Sequence, residues 1–300
     1  MNIAITGATG FVGTKLVKQL LAQGHSIKVF SRSKKKAVSL LSDKVEVIEW
    51  DAPHGEIPNG AFKGVDALIN LMGENIGGKR WSDEQKVKLR NSRILATQKL
   101  AKAIESDLPD GLDCLVSTSA IGYYPVNLEQ PLDENHPNTN SFLSSLCQDW
   151  EQSAHTIKSN RTVILRVGVV LGKGGGALAK LMPIFKLGLG GPVLPGTQMM
   201  SWIQLEDLVN LYVASVTTKS YQGTINAVAP NPVSNSEFSK ALGSALSRPA
   251  IFPVPGFALK IAMGEMSTIV LDSQTIVSTK LGNLGFKFKY PKILEALKNL

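Results

Sequence analysis

Apolar residues alternate along this chain between short solid runs and helical stripes. Residues 2–6 form a compact apolar run that predicts a strand. Over 11–23, Val12, Leu16, Val17 and Leu20 fall on one side of a 3.6-residue spiral, which predicts a helix closed by Gly24. Strands are expected at 26–30 and 45–48. A fourth, 66–72, is apolar throughout, as a parallel strand covered on both faces should be. A long helix is expected over 83–105, with Ile94, Thr97, Ala101 and Ile104 along one side. A strand at 112–117, a helix at 142–158, a strand at 162–171 and a helix at 205–216 continue the alternation. Such a pattern specifies an α/β fold, a doubly wound parallel sheet with right-handed crossovers. After Gly172 the pattern loosens. The glycine-rich stretches 174–176 and 188–195 are expected to be mobile at the mouth of a site. Residues 1–230 read as the main domain and 247–296 as a small C-terminal α/β substrate lobe.

Composition narrows the function classes. With 300 residues, 43% of them hydrophobic, the chain can bury a large core. The net charge of +8 favours an anionic partner such as a phosphorylated cofactor or an acidic metabolite. Much of that charge is spread over helix surfaces (Lys86, Lys88, Arg90, Lys99, Lys102) without interleaved aromatics, so nucleic acid is not expected as a partner. The two cysteines make no disulfide framework. His25, His54, His136 and His155 are too dispersed for ligand spacing, so no metal is expected. No apolar run reaches the roughly 18 residues of a membrane span. Met1 to Thr6 pass directly into the first strand, leaving no room for a leader. The expectation is a reducing, cytoplasmic setting and a small-molecule substrate.

The strongest chemical signal is Gly7-Ala8-Thr9-Gly10-Phe11-Val12-Gly13 between the first strand and the first helix. Gly7 makes the turn, Gly10 lets backbone approach a pyrophosphate, and Gly13 lets helix and strand pack closely. The helix start then presents free N–H groups and a positive dipole end to phosphate. This is a Rossmann-type dinucleotide signature. An NAD-preferring site usually has an acid after the second strand to hold the ribose 2′-hydroxyl. Here the segment is Ser31-Arg32-Ser33-Lys34-Lys35-Lys36. An Arg can pair a 2′-phosphate bidentately and stack on adenine. The expected cofactor is therefore NADP(H).

Together with the glycine loop, Asn70-Leu71-Met72-Gly73-Glu74-Asn75-Ile76, Arg80-Trp81, Ser92-Arg93, Ser119-Ala120-Ile121-Gly122-Tyr123-Tyr124, Trp150-Glu151, Gly188-Leu189-Gly190-Gly191-Pro192 and Ser201-Trp202-Ile203 resemble the atypical epimerase-family members of the extended short-chain dehydrogenases/reductases. The resemblance runs over nearly the whole chain and includes a C-terminal lobe of DUF1731 type. It implies a Rossmann core that binds NADP(H) through Gly7, Thr9, Gly10, Phe11, Val12 and Gly13. Ser31 and Arg32 would meet the adenosine phosphate, with Arg93, joined by Lys88, as a second phosphate-side contact. Asp51 would accept from the adenine amino group or simply cap a turn. Leu71, Met72 and Gly73 would pass beneath the cofactor.

The catalytic positions depart from the wider superfamily, which uses Tyr-x-x-x-Lys on the helix after the fifth strand. Phe142 and Leu146 stand there, and neither can move a proton or bind a ribose. Ser119 remains as the serine that orients a substrate oxygen. Tyr123 or Tyr124 is the candidate replacement acid, the alternative being that both line an apolar pocket. Two readings follow. One is an NADP(H)-dependent oxidoreductase or epimerase acting on a small carbonyl, hydroxyl or nucleotide-sugar-like substrate. The other is a non-catalytic NADP(H)-binding regulatory protein, since some relatives carry cell-division labels.

Overall fold

A computed structural model describes residues 1–52 and 54–300. The first half is built from β1 (Asn2–Thr6), α1 (Phe11–Ala22), β2 (Ser26–Ser31), α2 (Lys34–Leu40), β3 (Glu46–Glu49), β4 (Ala67–Asn70), α3 (Asp83–Asn91), α4 (Ile94–Asp107), β5 (Cys114–Ala120) and α5 (Phe142–His155). It continues through β6 (Thr162–Val167), β7 (Val169–Leu171), α6 (Gly176–Lys186), β8 (Met199–Met200), β9 (Trp202–Gln204), α7 (Leu205–Thr217) and β10 (Gly223–Ala227). The chain closes with β11 (Val233–Ser234), α8 (Asn235–Ala245), α9 (Gly256–Met263), α10 (Thr268–Leu271), α11 (Thr279–Asn283) and α12 (Ile293–Lys298).

Seven strands form one parallel sheet in the order β10-β6-β5-β4-β1-β2-β3. This is the doubly wound arrangement, with the order reversing between β1 and β4. Alternate residues of the central strands feed the two faces. Ile3 and Ile5 join Leu16 and Leu20 of α1 and Leu208 and Tyr212 of α7. Ala4 and Leu68 join Leu100 and Ile104 of α4 and Ala154 of α5.

At the reversal, a Cβ on Gly7 would stand 2.9 Å from the backbone of Leu71, and Gly7 has φ +66°. A Cβ on Gly13 would lie 2.5 Å from the Gly7 carbonyl oxygen. Beneath the turn, buried Thr6 donates its hydroxyl to Asn70 Oδ1 at 2.6 Å, and Asn70 Nδ2 donates to Thr97 Oγ1 at 3.2 Å. The residues that shape the turn are thus fixed by backbone proximity and by a satisfied buried polar chain.

Several elements differ from the sequence expectation. The single helix expected over 83–105 is two helices, broken at Ser92-Arg93. The Leu89 carbonyl accepts from Ser92 Oγ and Arg93 Nη1, at 3.0 and 3.1 Å, while the Arg93 amide closes a tighter turn on Arg90. Side chains have displaced the helix ladder. The strand expected over 162–171 splits at Gly168, where a Cβ would meet Ser201 O at 2.8 Å. β6 stays in the main sheet and β7 pairs with β9 instead. Residues 174–176 are not a free loop: Gly175 and Gly176 open α6, and Gly172, Gly175 and Gly176 press against the Phe11 ring. Helix α2, strand β10 and helix α8 go beyond the sequence expectation.

The lobe also gathers more of the chain than 247–296. Its core joins Leu178 and Phe185 of α6, Trp202 of β9, Phe238 and Leu242 of α8, Tyr290, and Ala296 and Leu297 of α12. The loop after β4 ties it to the sheet. Lys180 Nζ of α6 donates to Gly77 O at 2.5 Å, Lys86 pairs with Glu265 at 2.6 Å, and Trp81 packs in one cluster with Met263 and Met266.

Gly13→Ala forces a methyl group into the Gly7 carbonyl, so it should destabilise the fold by about 1–3 kcal/mol, as overpacking does. Gly10→Ala meets only the Gly7 carbonyl, at 3.1 Å, on an exposed turn. Urea unfolding of the two variants should therefore show a lowered midpoint for Gly13→Ala and a small change for Gly10→Ala.

Candidate functional site

The crevice outside the carboxyl ends of β1 and β4 is where ligands bind in open α/β sheets. Helix α1 begins at Gly10 with no side chain capping it and no acid in its first turn. Its first N–H groups are left for an anion. A Cβ at Gly7 would collide with the Leu71 backbone and one at Gly13 with the Gly7 and Ala8 backbone, so the turn keeps its shape only with glycine at both positions. Thr9, Gly10, Phe11 and Val12 keep some exposure around it, while Ala8 is buried. This donor set suits a pyrophosphate.

At the end of β2, Ser31 Oγ accepts from the Ser33 amide at 3.4 Å, shaping the turn into α2. Ser33 caps that helix by accepting from Lys36 N at 3.3 Å. Arg32 is exposed and makes no side-chain hydrogen bond or ion pair among the described residues. Lys34, Lys35 and Lys36 occupy the first turn of α2, which has no acid there. Cations at a helix N-terminus oppose its dipole. Glu49 of β3 meets that helix start, accepting from the Lys34 amide at 2.7 Å. Asp51, just beyond β3, is exposed and its carbonyl closes the turn to His54 and Gly55. Its carboxylate has no partner among the described residues.

Two residues expected as cofactor contacts, Lys88 and Arg93, are engaged by other parts of the chain. Lys88 lies on the solvent side of α3, paired with Glu84 at 2.5 Å, while Gln85 and Leu89 face inward. It does not point into the crevice. The Arg93 guanidinium is taken by the carbonyls of Leu89 and Glu74, at 3.1 and 3.0 Å, and lies over Trp150 at 5.0 Å. Burial holds its pKa below the usual guanidinium value. A Cβ on Gly73 would stand 2.9 Å from Arg93 Cζ. Arg93 therefore braces the Leu71-Met72-Gly73 segment from below.

The catalytic side holds a buried chain of polar groups. Ser119, 1% exposed, donates its hydroxyl to Glu151 Oε1 at 2.6 Å. Arg166 of β6 clamps the same carboxylate, Nε to Oε1 and Nη2 to Oε2, both at 2.8 Å. Its remaining amino group donates to Tyr124 Oη at 2.8 Å, and Tyr124 donates to Asn226 Oδ1 at 2.7 Å. Glu134 continues the chain, accepting from Asn226 N of β10 and from Ser278 Oγ and both donors of Thr279 in the lobe.

This geometry sorts the three catalytic candidates. Tyr124 is fully buried, and burial pushes its phenol up to about 12. It is a structural member of the network, not an acid available to a substrate. The only proton of the Ser119 hydroxyl is committed to Glu151, so Ser119 can offer nothing but a lone pair. Tyr123 is partly exposed, its ring 3.3 Å from Arg166 Cζ, and its hydroxyl has no partner among the described residues.

Helix α5 explains the fate of the missing Tyr-x-x-x-Lys pair. Leu143, Cys147 and Glu151 face β5 and the short 3₁₀ turn Ile121–Tyr123, with Leu143 and Cys147 set against Gly122. Phe142 and Leu146 turn toward α3 instead, in an apolar cluster with Trp81, Leu89 and Met266. The Phe142 and Trp81 rings are 5.3 Å apart. Sequence reasoning did not assign Glu151 and Arg166 to the site. The available signal was Arg166 itself, a lone cation in the apolar run TVILRV, because a charge in a central strand must be paired.

Comparison with known proteins places this geometry in context. Residues 3–227 match the model of the NAD dependent epimerase/dehydratase family, and residues 254–300 match a domain of unknown function, DUF1731. The chain is 41% identical over 309 residues to the chloroplastic epimerase family protein SDR39U1 homolog of Arabidopsis thaliana, covering 99% of this chain and 86% of the relative. It is 33% identical to human SDR39U1, covering 100% and 99% of the two chains. The crystal structure of human SDR39U1 (isoform 2) with NADPH matches with a TM-score of 0.89 at 32% identity, over 100% of this chain and 98% of that one. Among the described residues, no helix is long and apolar enough to cross a membrane.

Glu134 links the sheet to the lobe and titrates in an informative range. Burial acts to raise its pKa, but the hydrogen bonds from Ser278, Asn226 and Thr279 outweigh it and hold the carboxyl below the ordinary value of 4.5. A depressed folded-state pKa contributes stability above the unfolded value and loses it as pH falls through the folded one. Glu134→Gln should cost about 1–3 kcal/mol at neutral pH. In urea unfolding followed against pH, that gap should narrow below about pH 4.5. A gap that widens in acid would contradict the assignment.

Proposed function

The chain belongs to the NAD dependent epimerase/dehydratase family, and on that premise we propose that it is an NADP(H)-binding oxidoreductase or epimerase acting on a small carbonyl or hydroxyl substrate. One observation carries the cofactor choice: the exposed Arg32, without a side-chain partner among the described residues, followed by three lysines in the first turn of α2. The NADPH in the human SDR39U1 crystal structure supports it.

Gly7, Thr9, Gly10, Phe11, Val12 and Gly13 would hold the pyrophosphate at the start of α1. Ser31 and Arg32 would hold the 2′-phosphate, and Asp51 the adenine edge. Leu71, Met72 and Gly73 form the floor, kept in place by Arg93. When bound, the nicotinamide supplies or removes a hydride at the reacting carbon. The protein's own share is to orient that carbon, exclude water and move one proton. Tyr123 is the residue for the proton, because its hydroxyl alone of the three candidates is both unpartnered and open. Ser119, its proton held by Glu151, would accept from a substrate hydroxyl.

The lobe favours a substrate with an apolar body. Leu187, Leu189, Ile251, Phe252, Phe257 and Ile261 are all exposed there, and such surface marks ligand grooves and interaction sites. A reducing, cytoplasm-like compartment belongs to the same proposal: Cys114 and Cys147 are buried and unpaired. The Arabidopsis relative is named chloroplastic.

A bidentate, charge-assisted contact from Arg32 is worth roughly 1.5–3 kcal/mol. Titration calorimetry should show wild type preferring NADPH to NADH by about ten- to a hundredfold and Arg32→Ala losing most of that preference. Equal wild-type affinities would defeat the assignment. On a panel of carbonyls and alcohols, Tyr123→Phe should lower turnover by about 10²–10⁴-fold, the usual share of general acid–base catalysis, with NADPH affinity unchanged. Full turnover in Tyr123→Phe would remove Tyr123 from the mechanism.

A further inference from the structure

Resting on the reading of Tyr123 as the proton donor, we propose that Arg166 is a positioning residue for it: the guanidinium stabilises the Tyr123 phenolate, as a lysine does in the Tyr-x-x-x-Lys pair. The pair is rebuilt from different elements. Its phenol comes from the 3₁₀ turn after β5 and its cation from the middle of the sheet, on β6.

Of the five tyrosines, Tyr124, Tyr212, Tyr221 and Tyr290 are buried, and only Tyr123 is not. Among the described residues the Tyr123 hydroxyl has no hydrogen-bond partner, and it is not fully enclosed. Under its ring, Arg166 Cζ lies 3.3 Å from the centroid. Three hydrogen bonds hold that guanidinium still, two to Glu151 and one to Tyr124. Glu151 binds along the Nε and Nη2 edge, whereas the ring lies over the flat face. The counter-ion therefore fixes the cation without coming between it and the phenol. Cation–π attraction strengthens when the site is desolvated, and Arg166 is only 4% exposed.

In the reductive direction the Tyr123 O–H bond breaks and its proton forms a new O–H bond on the substrate oxygen as that oxygen gains negative charge. The phenolate left behind sits over the guanidinium and takes a proton back from solvent. In the oxidative direction the phenolate accepts the proton of the substrate hydroxyl.

The test needs no substrate. Tetranitromethane nitrates phenolates, and peptide mass spectrometry of the full-length protein locates the modified residue. Tyr123 should be nitrated first in wild type. The double variant Glu151→Gln/Arg166→Met removes both buried charges together, so neither is left unpaired. It should slow nitration of Tyr123 roughly tenfold, as loss of a nearby opposite charge disfavours the phenolate, while Arg166→Lys restores part of the rate. Glu151→Gln alone should quicken nitration, because the cation loses its counter-ion. NADPH affinity, set at the other end of the cleft, should stay at the wild-type value throughout. An unchanged rate at Tyr123 in the folded double variant overturns the proposal. If the double variant does not fold, Glu151→Gln decides: an unchanged or slower rate overturns it. Retained turnover in Tyr123→Phe would instead sink the reading on which the proposal rests, whatever the labelling shows.

Discussion

Two neighbouring strands whose chain connections leave in opposite directions must part somewhere, and here they part above Thr6 and Asn70. The 2.6 Å hydrogen bond between their side chains is buried and has no water to replace it. It holds the ends of β1 and β4 at a separation that leaves the Gly7 turn against the Leu71 backbone with no space for a side chain. The glycine turn, the direction of α1 and the course of Leu71-Met72-Gly73 all inherit their positions from this join. Asn70 also reaches Thr97, so the first turns of α4 are set by the same contact.

The second buried arrangement, Glu151 with Arg166, obeys a different economy. Taking two charges out of water is expensive, and their attraction compensates only when geometry is good and the remaining donors and acceptors are satisfied. Those conditions are met: Ser119 and Tyr124 take up what the ion pair leaves over. An apolar pair would fill the same volume with less demand on neighbouring residues. What the charges add is a fixed guanidinium face beneath Tyr123 and a serine whose proton direction is settled.

The features readable in the sequence were the local ones. The Gly7–Gly13 turn, the apolar runs of β1, β2 and β4, and the basic end of β2 each depend on residues within one or two turns of each other, so pattern alone carries them. Helix α8 carries a local signal that the sequence expectation omits: Ser234 and Glu237 have the capping-box spacing and do form that box. Its polar first turn hid it. Lysines likewise concealed α2. The break at Ser92-Arg93 was not legible, because it follows from where those side chains bond, to Leu89 and Glu74, and not from any helix-breaking residue. Arg166 and Glu151 are 15 positions apart on a strand and a helix, and only the packing of α5 on the sheet brings them together. Phe142 and Leu146 pack in an apolar cluster built by α3 and the lobe, and that packing has no local signature in the sequence.

The loop after β4 belongs to both halves of the molecule. Its first residues run past the glycine turn, its later ones are held by Lys180 and by the methionines of the lobe, and the helix that follows is tied to the lobe through Lys86 and Glu265. The lobe cannot swing outward without either breaking these ties or dragging residues 74–82 with it. Opening the lobe away from the sheet therefore disturbs the segment that lies against the glycine turn. Traffic through one door is felt at the other.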